Sequence, residues 1–307
     1  MPVDDASLPQ WLLLREPADA AARSEALTRD VAGSLGSAEP LHMLDLGTGT
    51  GSNIRYLAER LRGPQRWLAL DRSAALLAEL PRRMVSWAAT RGYAATVEGG
   101  RCTIRGARFE CVIDTHAIDL TLLDDRRIFD GRRLVTASAL LDLVSESWLA
   151  ALAAHCAAEN ALALFALTYD GRSACAPADP EDEMVRELLN RHQRRDRERG
   201  GRAAGPAAGP DAGALAERCF ANAGYRVRRE PSDWRLVPAD ADMQRTLIGG
   251  WAEAATEMAP DRASAIASWH ARRLAHVAAG RSSIVVGHDD LAAWPGPHRA
   301  RNVATTG

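Results

Sequence analysis

Two hydrophobic periods alternate along this chain. Leu41 to Leu46 is a short, nearly continuous apolar run, the pattern of a strand buried on both faces. Similar runs lie at Gln65 to Asp71, Phe109 to Ile118, Leu134 to Ala137 and Ala161 to Tyr169. Between them, apolar residues recur at helical spacing in Ser52 to Leu61, Ala74 to Arg91 and Ser145 to Glu159. Pro81 is expected to kink or split the second helix, and Ser145 or Ser147 is placed to cap the third. Strands alternating with helices predict a doubly wound, mostly parallel α/β sheet. Thr103-Ile104-Arg105, joined to the Phe109 strand through Gly106, reads as a hairpin extension. Trp11 to Leu35 spaces Leu12, Leu13, Ala20, Ala21, Leu27 and Val31 among charges and reads as a helical segment ahead of the first strand.

The pattern changes after Asp170-Gly171. Pro180 to Arg199 reads as a helix with an acidic start and a basic end, which suits the helix dipole. A loop, Gly200 to Gly213, follows. Helix Ala214 to Asn222 stops near Gly224, where glycine can take the left-handed cap conformation. Tyr225 to Arg228 and Ser282 to His288 read as sixth and seventh strands, separated by helices Asp242 to Glu257 and Arg262 to Ala279. The chain thus divides into a helical segment (1–40), a sheet core (41–170), a helical and loop insertion (171–213), the end of the sheet (214–293) with a helical insertion near 239–280, and a tail (294–307) expected to be poorly ordered.

The chemistry concentrates where the first strand meets Gly47-Thr48-Gly49-Thr50-Gly51. Glycines at every second position allow a sharp turn and leave room for a ligand close to the backbone. The amides of a following helix favour negative groups. A nucleotide-type cofactor site is the natural reading, and its details separate three classes. A P-loop requires a lysine on the phosphates, and this chain contains no lysine. A dinucleotide fingerprint is G-x-G-x-x-G, but here Ser52 stands where its third glycine belongs. Asp71 ends the second strand about 20 residues beyond the last glycine, the place of a ribose-binding carboxylate. A helix cap at Asp71 or Ser73 is the other reading of that acid.

The run Asp45-Leu46-Gly47-Thr48-Gly49-Thr50-Gly51 resembles the first motif of class I S-adenosylmethionine-dependent methyltransferases. The resemblance covers roughly residues 41–169 and the rest only in outline. It implies a Rossmann-like, seven-stranded, mostly parallel sheet that binds S-adenosylmethionine and releases S-adenosylhomocysteine. The implied cofactor residues are Asp45, Gly47, Thr48, Gly49, Gly51 and Asn53 at the turn, and Asp71 and Arg72 at the ribose. Asp119 and Leu120 would face the adenine, and Ser138 stands at the end of the fourth strand. Members often fold a leading segment over the donor. Arg15 and Arg23 lie two helical turns apart there, and Arg23 is the candidate partner for the methionyl carboxylate, with a surface salt bridge as the alternative. Methyltransferases of this class usually join the sixth and seventh strands by a short hairpin. The helical insertion departs from that, and with 171–213 it is expected to form a lid over the acceptor.

Methyl transfer needs alignment and exclusion of water more than a dedicated catalytic group. Tyr169, Asp170 and His192 are weak catalytic candidates; Asp142, Tyr169, Asn190, His192, Trp234 and Trp251 are candidate substrate contacts. Each has a plainer reading: core packing for the tryptophans, a solvated helix for His192 and a turn for Asp170. The fourth strand ends in Ala137-Ser138-Ala139-Leu140 and not in the Asn/Asp-Pro-Pro-aromatic run of enzymes that methylate base amino groups. A small-molecule acceptor is the class left.

Composition narrows the picture further. A net charge of −2, with Asp196 and Glu198 interrupting the basic run Arg191 to Arg202, argues against nucleic acid. Five scattered cysteines and eight unclustered histidines offer no metal framework and suit a reducing cytoplasm. His270 and His276 read as surface or packing residues. Met1 to Gln10 lacks a signal-peptide pattern, and charges break the richest apolar stretch, so no membrane span is expected. A homodimer is compatible with all of this. Two other functions share much of the pattern: a donor-binding regulator or scaffold without turnover, and an NAD-type oxidoreductase.

Overall fold

Alternating burial along the first strand shows how the layers form. In the computed structural model, Met43 joins the core on one face of the sheet and Leu44 the core on the other. The structure describes residues 8–36, 39–120, 123, 125–195 and 205–296. In chain order the helices and strands are α1 (Leu8–Ala22), α2 (Glu25–Leu35), β1 (Leu41–Leu46), α3 (Ser52–Ala58), β2 (Gly63–Asp71), α4 (Ala74–Arg91), β3 (Ala94–Glu98), β4 (Arg101–Arg105) and β5 (Phe109–Ala117). They continue with β6 (Leu134–Ser138), α5 (Glu146–Ala158), β7 (Leu162–Ala176), α6 (Asp182–Gln193), α7 (Ala212–Asn222), β8 (Tyr225–Pro231), β9 (Trp234–Leu236), α8 (Ala241–Met258), α9 (Ala263–Ala278) and β10 (Ser283–Pro295).

The sheet order is β3-β4-β5-β2-β1-β6-β7-β10-β8, with β9 paired to β10. Strands β5, β2, β1, β6 and β7 are parallel, whereas β10 runs antiparallel to both β7 and β8. The seven expected strands are present as β1, β2, β5, β6, β7, β8 and β10. Three more occur among the described residues: the β3–β4 pair that extends the edge, and the short β9. Helices α2, α3 and α4 cover one face through Val31, Leu57 and Met84; α5 and α7 cover the other through Leu152 and Phe220. The order reverses at β1, with β2 on one side and β6 on the other. In open α/β sheets that reversal opens a crevice at the strands' carboxyl ends.

Several boundaries differ from the pattern reading. The leading segment is two helices, because Ser24 caps α2 by accepting from Leu27 N. Pro81 does not split α4: buried Leu80 and Met84 tie the turns around it to the sheet, which offsets the missing hydrogen bond. Strand β7 continues through Asp170-Gly171, carried by pairing with β10, so Asp170 lies in a strand and not a turn. Strand β10 likewise runs on to Pro295, and Trp294 is buried. Residues 294 and 295 of the expected tail therefore belong to β10, and residues 297–307 lie outside the described residues, as do residues 196–202 of the basic run. Helices α6, α8 and α9 pack together in a third core with Trp11, Leu167 and Tyr169. Among the described residues, no helix is long and apolar enough to cross a membrane.

Candidate functional site

The glycine turn owes its shape to a buried acid. Asp45, fully buried at the end of β1, accepts hydrogen bonds from Thr48 Oγ1 at 2.6 Å and Asn53 Nδ2 at 2.7 Å. The turn is also tied to the next strand, with Thr48 N donating to Leu70 O. Gly47, Gly49 and Gly51 all have positive φ, at 64°, 55° and 84°, conformations that are strained for other residues. A Cβ on Gly49 would stand 3.1 Å from Leu12 Cδ1, because α1 crosses directly over the turn. Helix α3 is only two turns long, so its dipole adds little and the turn's own amides carry the polarity.

Asp71 ends β2 beside the turn. Its Oδ2 accepts from Gly49 N at 2.8 Å and its Oδ1 from Ser73 N at 2.9 Å. Ser73, not Asp71, caps α4 by accepting from Leu76 N. Beyond β5, Leu120 O accepts from Trp148 Nε1 at 2.6 Å, which ties this loop to α5. At the end of β6, Ala139 has φ 52° and donates its N–H to Ala166 O.

These four strand ends meet around a cavity of about 230 Å³. Its wall includes Gly47, Thr48, Gly49, Asn53, Asp71, Arg72, Asp119, Leu120 and Ser138 from among the expected residues. Asp45, Gly51 and Arg23 stand behind that wall. Arg23 is not aimed at a ligand: it is buried, donates from Nη1 to Asn53 Oδ1 at 2.8 Å, lies 3.5 Å from Asp290 and stacks on Tyr56. The surface salt bridge considered for it is also ruled out by that burial.

None of the six candidate substrate contacts lines this cavity. Asp142 is buried on the turn Leu141–Leu143. Tyr169 donates to Asn190 Oδ1 at 2.8 Å, so these two tie β7 to α6. His192 is buried rather than solvated and sits 3.2 Å from Glu257. Burial and neighbouring Arg195 hold its pKa below the ordinary value. Trp251 belongs to the helical core. Trp234 packs on Trp11 and His288 and donates Nε1 to Asp19. Asp170 accepts from Arg172 N and Arg172 Nε. From the segment 171–213, only Gly205 and Ala207 reach the cavity among the described residues. Elsewhere the described residues of the insertions pack against each other and the β7–β10 ladder.

The wall contains residues that pattern reading did not place. Leu8, Leu12, Arg15 and Asp19 come from α1, and Leu76, Leu140, Leu143, Val144 and Trp148 add apolar surface. The four-residue spacing of Arg15 and Asp19 was a usable signal, since it puts both on one helical face. The remainder depends on which face of each helix turns toward the crevice. Among the described residues, no group of histidine, cysteine and carboxylate side chains is arranged to hold a metal ion.

No protein-family model matches the sequence, and no curated protein is significantly similar to it. Solved structures with a similar chain path include the cyclopropane synthase MmaA2 from Mycobacterium tuberculosis, at 11% identity and a TM-score of 0.45 over 94% of each chain. The YcgJ protein from Bacillus subtilis matches at 11% identity and a TM-score of 0.42, over 89% of this chain and 100% of that one. Phosphoethanolamine N-methyltransferase 2 from Haemonchus contortus, solved with phosphomonomethylethanolamine and S-adenosylhomocysteine, matches at 12% identity and a TM-score of 0.41. That match covers 95% of this chain and 58% of that one. At such identities and TM-scores, function rests on the site's own geometry.

Proposed function

We propose that this chain is a class I S-adenosylmethionine-dependent methyltransferase acting on a small-molecule acceptor. One observation carries the reading: the glycine turn, Asp71, the Asp119-Leu120 loop and Ser138 line one cavity at the point where the strand order reverses. Each part has work suited to an adenosyl ligand. The turn allows close backbone approach. Asp71 offers carboxylate oxygens to ribose hydroxyls while its bond to Gly49 N sets the distance between ribose and turn. Leu76, Leu140 and Trp148 supply apolar surface for a purine. The NAD alternative is disfavoured by topology as well as by glycine spacing. The dinucleotide order is 3-2-1-4-5-6 in parallel, whereas here antiparallel β10 separates β7 from β8.

When bound, the donor supplies an activated methyl group on a sulfonium, displaced in line by the acceptor. The chain's residues hold and align the reactants and exclude water. Helix α1 closes over the turn, fixed there by paired hydrogen bonds from Arg55 to Glu16 at 2.6 and 2.7 Å. The acceptor side is then bounded by Ala139 and Leu143 to Ser145, together with Gly205 and Ala207. The free cysteines, four of the five buried, support a reducing, cytoplasmic setting.

Transfer of labelled methyl groups from S-adenosylmethionine into a fractionated metabolite extract tests the reaction. Label in a small-molecule product is expected with the wild type and not with Asp71→Ala. Tight donor binding with no transfer to any fraction would instead support a regulator or scaffold.

A further inference from the structure

The two edges of the sheet are built differently. Strand β8 carries Arg226, Arg228, Arg229 and Glu230 and ends in Pro231. Charges and proline of that kind keep an edge from pairing with another chain. Strand β3, Ala94-Ala95-Thr96-Val97-Glu98, has one charge, at its end, and no proline. Its register with β4 runs unbroken from Ala94 to Glu98, without a bulge to twist the edge away. Among the described residues, no strand lies beyond it. Of the large hydrophobic side chains exposed among those residues, Val97 is on this strand and Val85 is on α4, which packs against it.

The hairpin determines which backbone groups are free. Glu98 and Arg101 flank a two-residue turn, Gly99-Gly100, with φ of 56° and 83°, and so form a hydrogen-bonded pair. Direction alternates along a strand, so Ala94 and Thr96 also bond to β4, while Ala95 and Val97 point their N–H and C=O groups outward. The next hairpin agrees: Gly106 N donates to Phe109 O, which turns the even positions of β4 toward β5 and the odd ones toward β3. A second copy docked antiparallel about a two-fold axis at Thr96 sets Ala95 of each chain opposite Val97 of the other. Both are outward-facing positions, so the ladder continues with two bonds per pair. The side chains match as well. The same axis sets Glu98 opposite Ala94 of the other copy, with Arg105 of that copy one strand further on the same face. Two strand spacings are about 10 Å, a span that glutamate and arginine bridge across the small alanine. Glu98 is exposed and has no ion-pair partner among the described residues. Arg105 is 57% exposed and bonds Glu110 through Nε. We propose that β3 is a homodimer interface at which a second copy of this chain joins edge to edge, making one continuous sheet. Nothing in this pairing depends on what fills the cavity.

A five-residue strand pair is small against the roughly 1,200–2,000 Å² of stable interfaces. A dissociation constant on the order of 10–100 μM is therefore expected, and sedimentation velocity of the full chain across that range reads it. Thr96 is exposed and meets its own counterpart on the axis. Thr96→Lys and Thr96→Glu each set like charges opposite one another and should weaken the dimer by at least about 10-fold. Mixing the two variants sets an ammonium opposite a carboxylate and should restore dimers that neither forms alone. A wild type that stays monomeric up to about 500 μM would overturn the proposal. A dimer that neither substitution weakens, or a mixture that restores nothing, would overturn it as well.

Discussion

Asp71 has two structural roles at one carboxylate. It faces the cavity and also anchors Gly49 N and Ser73 N. Asp71→Ala should therefore weaken S-adenosylhomocysteine by about 2–4 kcal/mol, the value of two charge-assisted bonds. An unchanged dissociation constant for the folded variant, measured by calorimetry, would remove Asp71 from the site. Asp45 behaves differently. Burial raises its carboxyl to about 6, against the bonds from Thr48 and Asn53 that favour the ionised form. Because that value lies above the unfolded one, the native state holds this proton more tightly. Its stabilising contribution is full below about pH 4 and lost as pH rises through about 6. The wild-type stability relative to Asp45→Asn should thus fall by roughly 3 kcal/mol between about pH 4 and pH 7. Urea unfolding of both proteins across that range checks it, and a flat difference would contradict the burial argument.

At the scale of elements, the site depends on how α1 meets the glycine turn. Gly49→Ala meets both obstacles at once, a φ of 55° and a Cβ at 3.1 Å from Leu12 Cδ1. It should cost about 1–2 kcal/mol of stability and loosen donor binding, as thermal unfolding and calorimetry would show. Leu12→Ala in the same chain should recover part of the binding loss by clearing the contact. The turn and the acids at strand ends were legible in the sequence because they depend on local spacing: glycine frequency, strand length and the 20-residue interval to Asp71 all act within one β-α-β unit. The acceptor candidates were not legible. Tyr169, Trp234 and Trp251, expected as substrate contacts, are instead buried in the third core, where β7 and β10 extend past the parallel strands. Strand length beyond the sheet is set by tertiary pairing, which periodicity in a single segment does not report.

Across the whole molecule, Asp290 joins distant parts of the chain. Fully buried in β10, it accepts from Ser24 N between α1 and α2 and from Leu167 N in β7, with Arg23 alongside. Arg23 also reaches Asn53, so the helical cover, the sheet and the glycine turn share one polar network. Arg23→Ala leaves the Asp290 charge without its cation and should destabilise the protein by about 3 kcal/mol or more. Chemical denaturation measures this directly; a loss under about 1 kcal/mol would show that the backbone donors alone satisfy Asp290. The central claim concerns what fills the cavity those contacts shape. Its most direct test is calorimetric titration of the purified protein with S-adenosylmethionine, S-adenosylhomocysteine and NADH. The account predicts micromolar binding of the first two and none of NADH. Binding of NADH alone would contradict it.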